Sequence, residues 1–151
     1  DTTPYAPSFR GEFQRGKFVV FRRPSKSNAW KRKLYVGEVY EDYDRLNDSV
    51  SIHIYDDYGP HDDPAYADPT TPLRDRTLRP VYKNDETKQQ YTDRSKFTVR
   101  SFPVCYDYRP HEIDVLHARF DMHGLRVPPQ VAQRVATKLD QRDRRHGRPP
   151  L

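Results

Sequence analysis

Apolar and polar positions alternate strictly along residues 49–55 (SVSIHIY), where Val50, Ile52 and Ile54 share one side. That period of two marks a half-buried strand. Residues 34–43 (LYVGEVYEDY) read as a longer strand, and the polar stretch RLND at 45–48 turns one into the other. The two therefore predict an antiparallel hairpin. Gly37 inside the first strand predicts a bulge or a sharp bend, as small barrels use at their corners. Residues 17–21 (KFVVF) are β-branched and aromatic and read as a strand. A short strand is expected at 77–82, limited by Pro80. A further alternating one is expected at 97–106 (FTVRSFPVCY), where Pro103 marks an edge or a break. Residues 83–95 are polar and turn-like. Residues 111–120 (HEIDVLHARF) fit either a strand or a helical turn and a half, and Met122-His123-Gly124 reads as a turn.

The period changes at 127–139 (VPPQVAQRVATKL). Val127, Val131, Val135 and Leu139 recur every four residues with Ala132 and Ala136 beside them, one apolar stripe of a helix. Pro128 and Pro129 suit its first turn, where the missing N–H groups have no intrahelical partner. The pattern therefore predicts a mainly β domain with minor α: a bent antiparallel sheet or SH3-like barrel carrying a C-terminal helix. Residues 1–16 read as an extended N-terminal arm, because Pro4, Pro7, Gly11 and Gly16 oppose a helix, with Tyr5, Phe9 and Phe13 packing onto the body. Residues 17–139 form the single domain. Residues 56–72 (DDYGPHDDPAYADPTTP) are a long acidic loop, since Pro excludes central strand positions. Residues 140–151 are a frayed basic tail.

Composition narrows this further. Apolar residues make up 34% of the 151 and charged residues 32%, so the core is small. Eleven Tyr and seven Phe exclude a charge-solvated disordered chain, which is poor in aromatics. No run of 18 apolar residues occurs, so no transmembrane helix and no membrane partner is expected. The chain opens on Asp1 without an initiating Met or an apolar leader, which reads as a processed product or a fragment. One cysteine, Cys105, excludes an intramolecular disulfide and fits a nuclear or cytoplasmic location.

The net charge of +5 hides a segregation. Residues 10–33 hold nine basic residues and one acid, whereas residues 38–68 hold ten acids and one base, Arg45. A uniformly basic nucleic-acid binder does not look like this. Either the two blocks neutralise one another across a sheet, or the basic one is displayed.

A strand KFVVF, a basic loop with Trp30, and LYVGEVYEDYDRLNDSVSIHIY resemble a small SH3-like barrel of the Tudor or chromo-like kind. More narrowly, YVGEV with VSIHIYDDYG, then LRPVYKND, then FDMHGLRVPPQVAQRV is similar to an accessory module near the C-terminus of some retroelement polyproteins. Tyr35 stands near the aromatic position of that module, and Glu38 stands where it carries a basic residue. The likeness spans residues 17–139 through short motifs. It implies a nucleic-acid-associated binding module derived from a mobile element.

Two binding sets follow. Arg22, Arg23, Lys26, Lys31, Arg32 and Lys33 surround Trp30, and cations interleaved with a ring suit nucleic acid: the cations meet phosphates and the ring stacks on a base. Arg142, Arg144, Arg145 and Arg148 add a sequence-independent grip from the tail. The alternative partner is a cationic or methylated peptide. Tyr35, Tyr40, Tyr43, Tyr55 and Tyr58 would then supply ring faces, with Asp56 and Asp57 adding negative potential. Against this, the same tyrosines can simply roof a small core. A third reading is a structural subunit whose arms wrap neighbours.

Catalytic and metal signals are weak. The six histidines show no HExxH spacing and no cysteine pair accompanies them, so no metal and no cofactor is expected. His53 with Asp56 and Asp57, or His111 with Glu112, could form an acid–base pair, but neither lies in a nucleophile motif. Cys105, in an alternating strand, reads as a small buried hydrophobe. The expected function is binding rather than catalysis, with no catalytic residue.

Overall fold

The structure, a computed structural model, describes residues 12–23, 33–66, 68 and 70–145. Its strands are β1 (Phe18–Arg22), β2 (Tyr35–Asp44), β3 (Ser49–Asp56), β4 (Arg79–Pro80), β5 (Tyr82–Asn84), β6 (Gln90–Tyr91), β7 (Ser101–Pro103), β8 (Cys105–Tyr108) and β9 (Asp114–Phe120). Among the described residues a C-terminal helix, α1 (Pro129–Arg145), follows them. The chain is mainly β with antiparallel sheets and a C-terminal helix, as its patterning predicts.

β1, β2 and β3 form an antiparallel meander, with β2 and β3 paired as the hairpin predicted from the alternation. β8 lies along β3 from Val50 to His53, and β4 continues that edge beside Tyr55 and Asp56. β9 returns to the opposite edge and pairs with β1. A 3-10 turn, Pro110–Glu112, separates β8 from β9. A smaller sheet, ordered β6-β5-β7, projects from the segment between β3 and β8.

Strand pleating separates two apolar layers. Val19 and Phe21 of β1, Tyr35 and Val39 of β2, and Val50, Ile52 and Ile54 of β3 face inward with Tyr108 and Ile113. Phe13 joins them at 1% exposure, so this part of the N-terminal arm belongs to the core. Phe18, Val20, Val36, Leu116 and Phe120 face outward and are covered by Leu73, Leu78 and the apolar stripe of α1: Val131, Ala132 and Val135. Burying each Val of that stripe stabilises the docked helix by roughly 1.5–3 kcal/mol.

Several boundaries differ from the sequence reading. Gly37 sits in regular register opposite Ile54, and the register shifts fall after Val39 and after Glu41. Its need for glycine is close approach instead: an added Cβ would lie 2.7 Å from the His53 carbonyl oxygen. The 77–82 strand is split at Val81. Its N–H donates to the Ile54 carbonyl and its own carbonyl accepts from Val104, so the chain passes there from one sheet to the other. Residues 83–95, read as turn-like, hold most of β5 and all of β6. The strand expected at 97–106 starts only at Ser101 and is broken at Val104 for the same reason. Of the two readings of 111–120, the strand is the one adopted, because Phe120, Ala118, His117, Val115 and Asp114 find partners on β1.

The helix is longer than the apolar stripe. It starts at Pro129 and continues through Asp140 to Arg145, where a frayed tail was expected. Residues 140–145 lack apolar anchors but are mostly good helix formers. They are also tied down by ion pairs: Arg142 with Asp114, and Arg144 with Asp140 at 3.3 Å.

Candidate nucleic-acid interface

The register of β1 on β9 places Arg22 opposite Asp114. There the Arg22 guanidinium donates to the Asp114 carboxylate at 3.1 Å. α1 crosses β9 with its valines on Leu116 and Phe120, which brings its polar flank along the same strand. That flank is basic: Arg134, Lys138 and Arg142 recur every four residues and so share one helix face. Lys138 donates from Nζ to the Leu116 carbonyl at 2.7 Å, and Arg142 pairs with the same Asp114 oxygen that Arg22 holds. The first basic segment and the basic C-terminal turn thus meet at one carboxylate.

His117 of β9 lies under this flank. Burial, and then the charges of Lys138 and Arg134, push its imidazole below the usual histidine range, so it stays neutral near pH 7. Glu12 lies on the same side. Burial raises its carboxyl, opposed by the nearby charges of Lys138 and Arg119. Arg22, Arg119, Arg134, Lys138 and Arg142 outnumber Glu12 and Asp114, which leaves this surface positive. Arg134, Lys138 and Arg119 were not singled out from the sequence. The spacing of 134, 138 and 142 was a visible signal, masked by the apolar stripe running beside it.

The remaining basic residues of the first segment go elsewhere. Lys33 pairs with Asp56 at 3.3 Å, and the buried Asp56 also receives Arg76 at 3.0 Å. Arg76 in turn donates to the Leu34 carbonyl, which closes a buried polar knot at the start of β2. In this knot the basic and acidic blocks do face one another. The guanidinium of Arg23 lies among Tyr35, Tyr106 and Tyr108. Lys26, Trp30, Lys31, Arg32 and Arg148 lie outside the described residues, as does the side chain of Arg145.

The five tyrosines of the alternative peptide site do not gather. Tyr35 stacks on Phe21 in the inner layer, and Tyr58, also inside, donates its hydroxyl to Gln90. Tyr55 meets the edge of Phe18 on the outer face. Tyr40 is 44% exposed and meets His53 edge-on, while Tyr43 donates to Asp48. Of the two acids, Asp56 is committed to the knot and Asp57 caps the loop by accepting the Gly59 N–H. Tyr106 and Tyr108, which do lie beside Tyr35, were not part of the predicted set.

His53 is buried, and its Nε2 donates to the Val81 carbonyl, so its ring locks the crossing between the sheets and does not face Asp56 or Asp57. Its desolvation lowers its pKa. His111 lies 3.9 Å from Asp48. Cys105 is half-buried, not fully enclosed, and burial pushes its thiol up. Among the described residues, no three His, Cys, Asp or Glu side chains gather to hold a metal ion. No helix of the described residues is long and apolar enough to cross a membrane.

Comparison with protein-family models, curated proteins and solved structures finds no match for the chain.

Proposed function

We propose that this chain is a non-catalytic nucleic-acid-binding module of SH3-like architecture, with its contact surface along the β9–α1 flank. The observation that carries the reading is the meeting of Arg22 and Arg142 at Asp114, beside Arg134 and Lys138. A phosphate backbone needs cations spaced along a surface, and a helix face with a cation at every turn offers that. Arg22 ends β1 and Arg142 lies in the last turn of α1, so one polyanion can engage both elements where they meet. The two acids there, Asp114 and Glu12, are outnumbered by the five cations.

The SH3-like reading rests on the strand path. A three-strand meander has a fourth strand on β3, and a last strand closes back on β1 after a 3-10 turn. The motifs shared with retroelement modules point to the same class of partner. Glu38, where those modules carry a basic residue, lies on β2 opposite His53, so the contact is assigned to the helix flank and not to this strand.

The test is a salt titration with duplex and single-stranded oligonucleotides. Arg134 is exposed, and Arg134→Glu should weaken binding across sequences and flatten the slope of log affinity against log salt by roughly one per lost phosphate contact. Equal affinity and slope in wild type and Arg134→Glu would remove the flank from the interface.

A further inference from the structure

The first basic segment holds a feature that phosphate binding does not use. Arg23 lies one residue beyond β1, and its guanidinium carbon is 5.6 Å from the ring centre of Tyr35, 5.7 Å from Tyr108 and 6.0 Å from Tyr106. Lys33 Nζ, held by Asp56, also lies 4.9 Å from the Tyr35 ring centre, so Tyr106 and Tyr108 are the faces that, among the described residues, Arg23 alone covers. Phe21 backs this group, stacked on Tyr35 at 5.6 Å and meeting Tyr108 edge-on at 5.3 Å. The three rings come from two strands that are not neighbours, β2 and β8, so only the curvature of the main sheet brings them together.

The site has a deep side and an open side. Tyr35 and Tyr108 are buried, whereas Tyr106 is 41% exposed and stands at the mouth. Among the described residues, the buried Tyr108 hydroxyl has no hydrogen-bond partner. An unpaired buried hydroxyl is costly, and a guest carrying N–H donors can satisfy it. Electron-rich ring faces around a partly desolvated volume attract a planar cation.

We propose that Tyr35, Tyr106 and Tyr108 form a binding pocket for an arginine side chain of a partner peptide, and that Arg23 occupies this pocket in cis as an internal competitor. The resident defines the ligand chemistry: a planar, delocalised cation. Because Arg23 follows the last residue of β1, its side chain can leave without breaking the ladder between β1 and β2. The exchange replaces one guanidinium by another. Arg23 also hydrogen-bonds Tyr35, a bond the incoming guanidinium must remake, and the tethered arginine acts at an effective level in the millimolar range. A lone arginine competes weakly against that, and a multivalent arginine-rich segment competes well. The pocket tyrosines are not among the flank residues, so arginine binding is measured separately from nucleic-acid binding.

The experiment uses N-acetyl-arginine amide as probe, with N-acetyl-citrulline amide as its neutral counterpart, followed by ring-proton shifts of the tyrosines. Arg23→Gln removes the resident guanidinium, and Arg23→Ala serves if the glutamine variant does not fold. The vacated protein should bind the arginine probe saturably, with shifts at Tyr35, Tyr106 and Tyr108. Its affinity should be roughly tenfold or more above wild type, consistent with removal of a tethered competitor. Adding Tyr106→Ala should abolish the shifts. A folded vacated variant that shows no saturable shifts, or that binds the citrulline probe equally well, overturns the proposal.

Discussion

A Cβ placed on Gly37 would lie 2.3 Å from the Cγ2 methyl of Ile52, on the neighbouring strand of the same hairpin. Ile52 is fully buried, and the His53 carbonyl bounds the same space at 2.7 Å, so neither neighbour can retreat cheaply. Gly37→Ala should therefore destabilise the domain by about 1–3 kcal/mol through overpacking. Denaturant unfolding reads this directly, and an unchanged midpoint would show that β2 and β3 are not as close as described.

The knot of Asp56 with Arg76 and Lys33 is buried on its Arg76 side. Removing only the carboxylate leaves a buried guanidinium without its counter-charge. Asp56→Ala should cost about 3–5 kcal/mol, and a double change to Asp56→Leu with Arg76→Met should recover much of it. Urea melts of Asp56→Leu, Arg76→Met and the double variant, beside Asp56→Ala, check the expectation. An additive double change would contradict coupling between the pair.

Stability should fall in acid in two steps. Burial lowers the His53 pKa, so its folded value lies below the unfolded one. Protonation then favours the unfolded chain, and the contribution present above about pH 6.5 is lost as pH falls further. Asp62 follows at lower pH. Its burial raises the pKa, but donors from Thr92 and Asp93 together with Lys96 outweigh that and hold it below the usual carboxylate value. Its contribution, intact above about pH 3.9, is lost as pH drops through the folded value. His117, also lowered, adds to the first step, so in thermal melts across pH His53→Gln should shrink that step and leave the second. A first step of equal size in that variant would place its origin elsewhere.

The last turns of α1 are held by side chains rather than by a core. Truncation after Leu139 removes the Arg142–Asp114 pair and the Arg144–Asp140 pair. Both are partly solvated, so the loss should be modest, up to about 1 kcal/mol, and smaller at high salt. Arg142→Ala should reproduce most of it in a calorimetric melt. No change in either variant would mean that the helix end carries no stability.

Much of the fold was legible in local patterns. The alternation of Val50, Ile52 and Ile54 identified a strand with one buried side, and Val131 and Val135 identified the helix face that docks. Such patterns are readable because pleat and helix periods are properties of the chain itself. Segments with mixed signals were not. Residues 111–120 carry no clean period, because β9 is bulged against β1 and has both faces covered.

The candidate site was legible only in part. The charge segregation and the presence of a basic C-terminal stretch were determined by the sequence alone, whereas the reason for a glycine at position 37, close approach to Ile52 and the His53 carbonyl, came from strand pairing. Which cations meet was decided by tertiary structure. Arg22 and Arg142 share Asp114 because β9 closes on β1 and α1 packs back across β9. Tyr35 meets Tyr106 and Tyr108 around Arg23 because the sheet curves, whereas Tyr55, near in sequence to Tyr58, points to the opposite face. Composition and period describe what each segment can bury or display. Strand pairing at long sequence separation sets which side chains share a surface, and that pairing depends on the combined burial of both apolar layers.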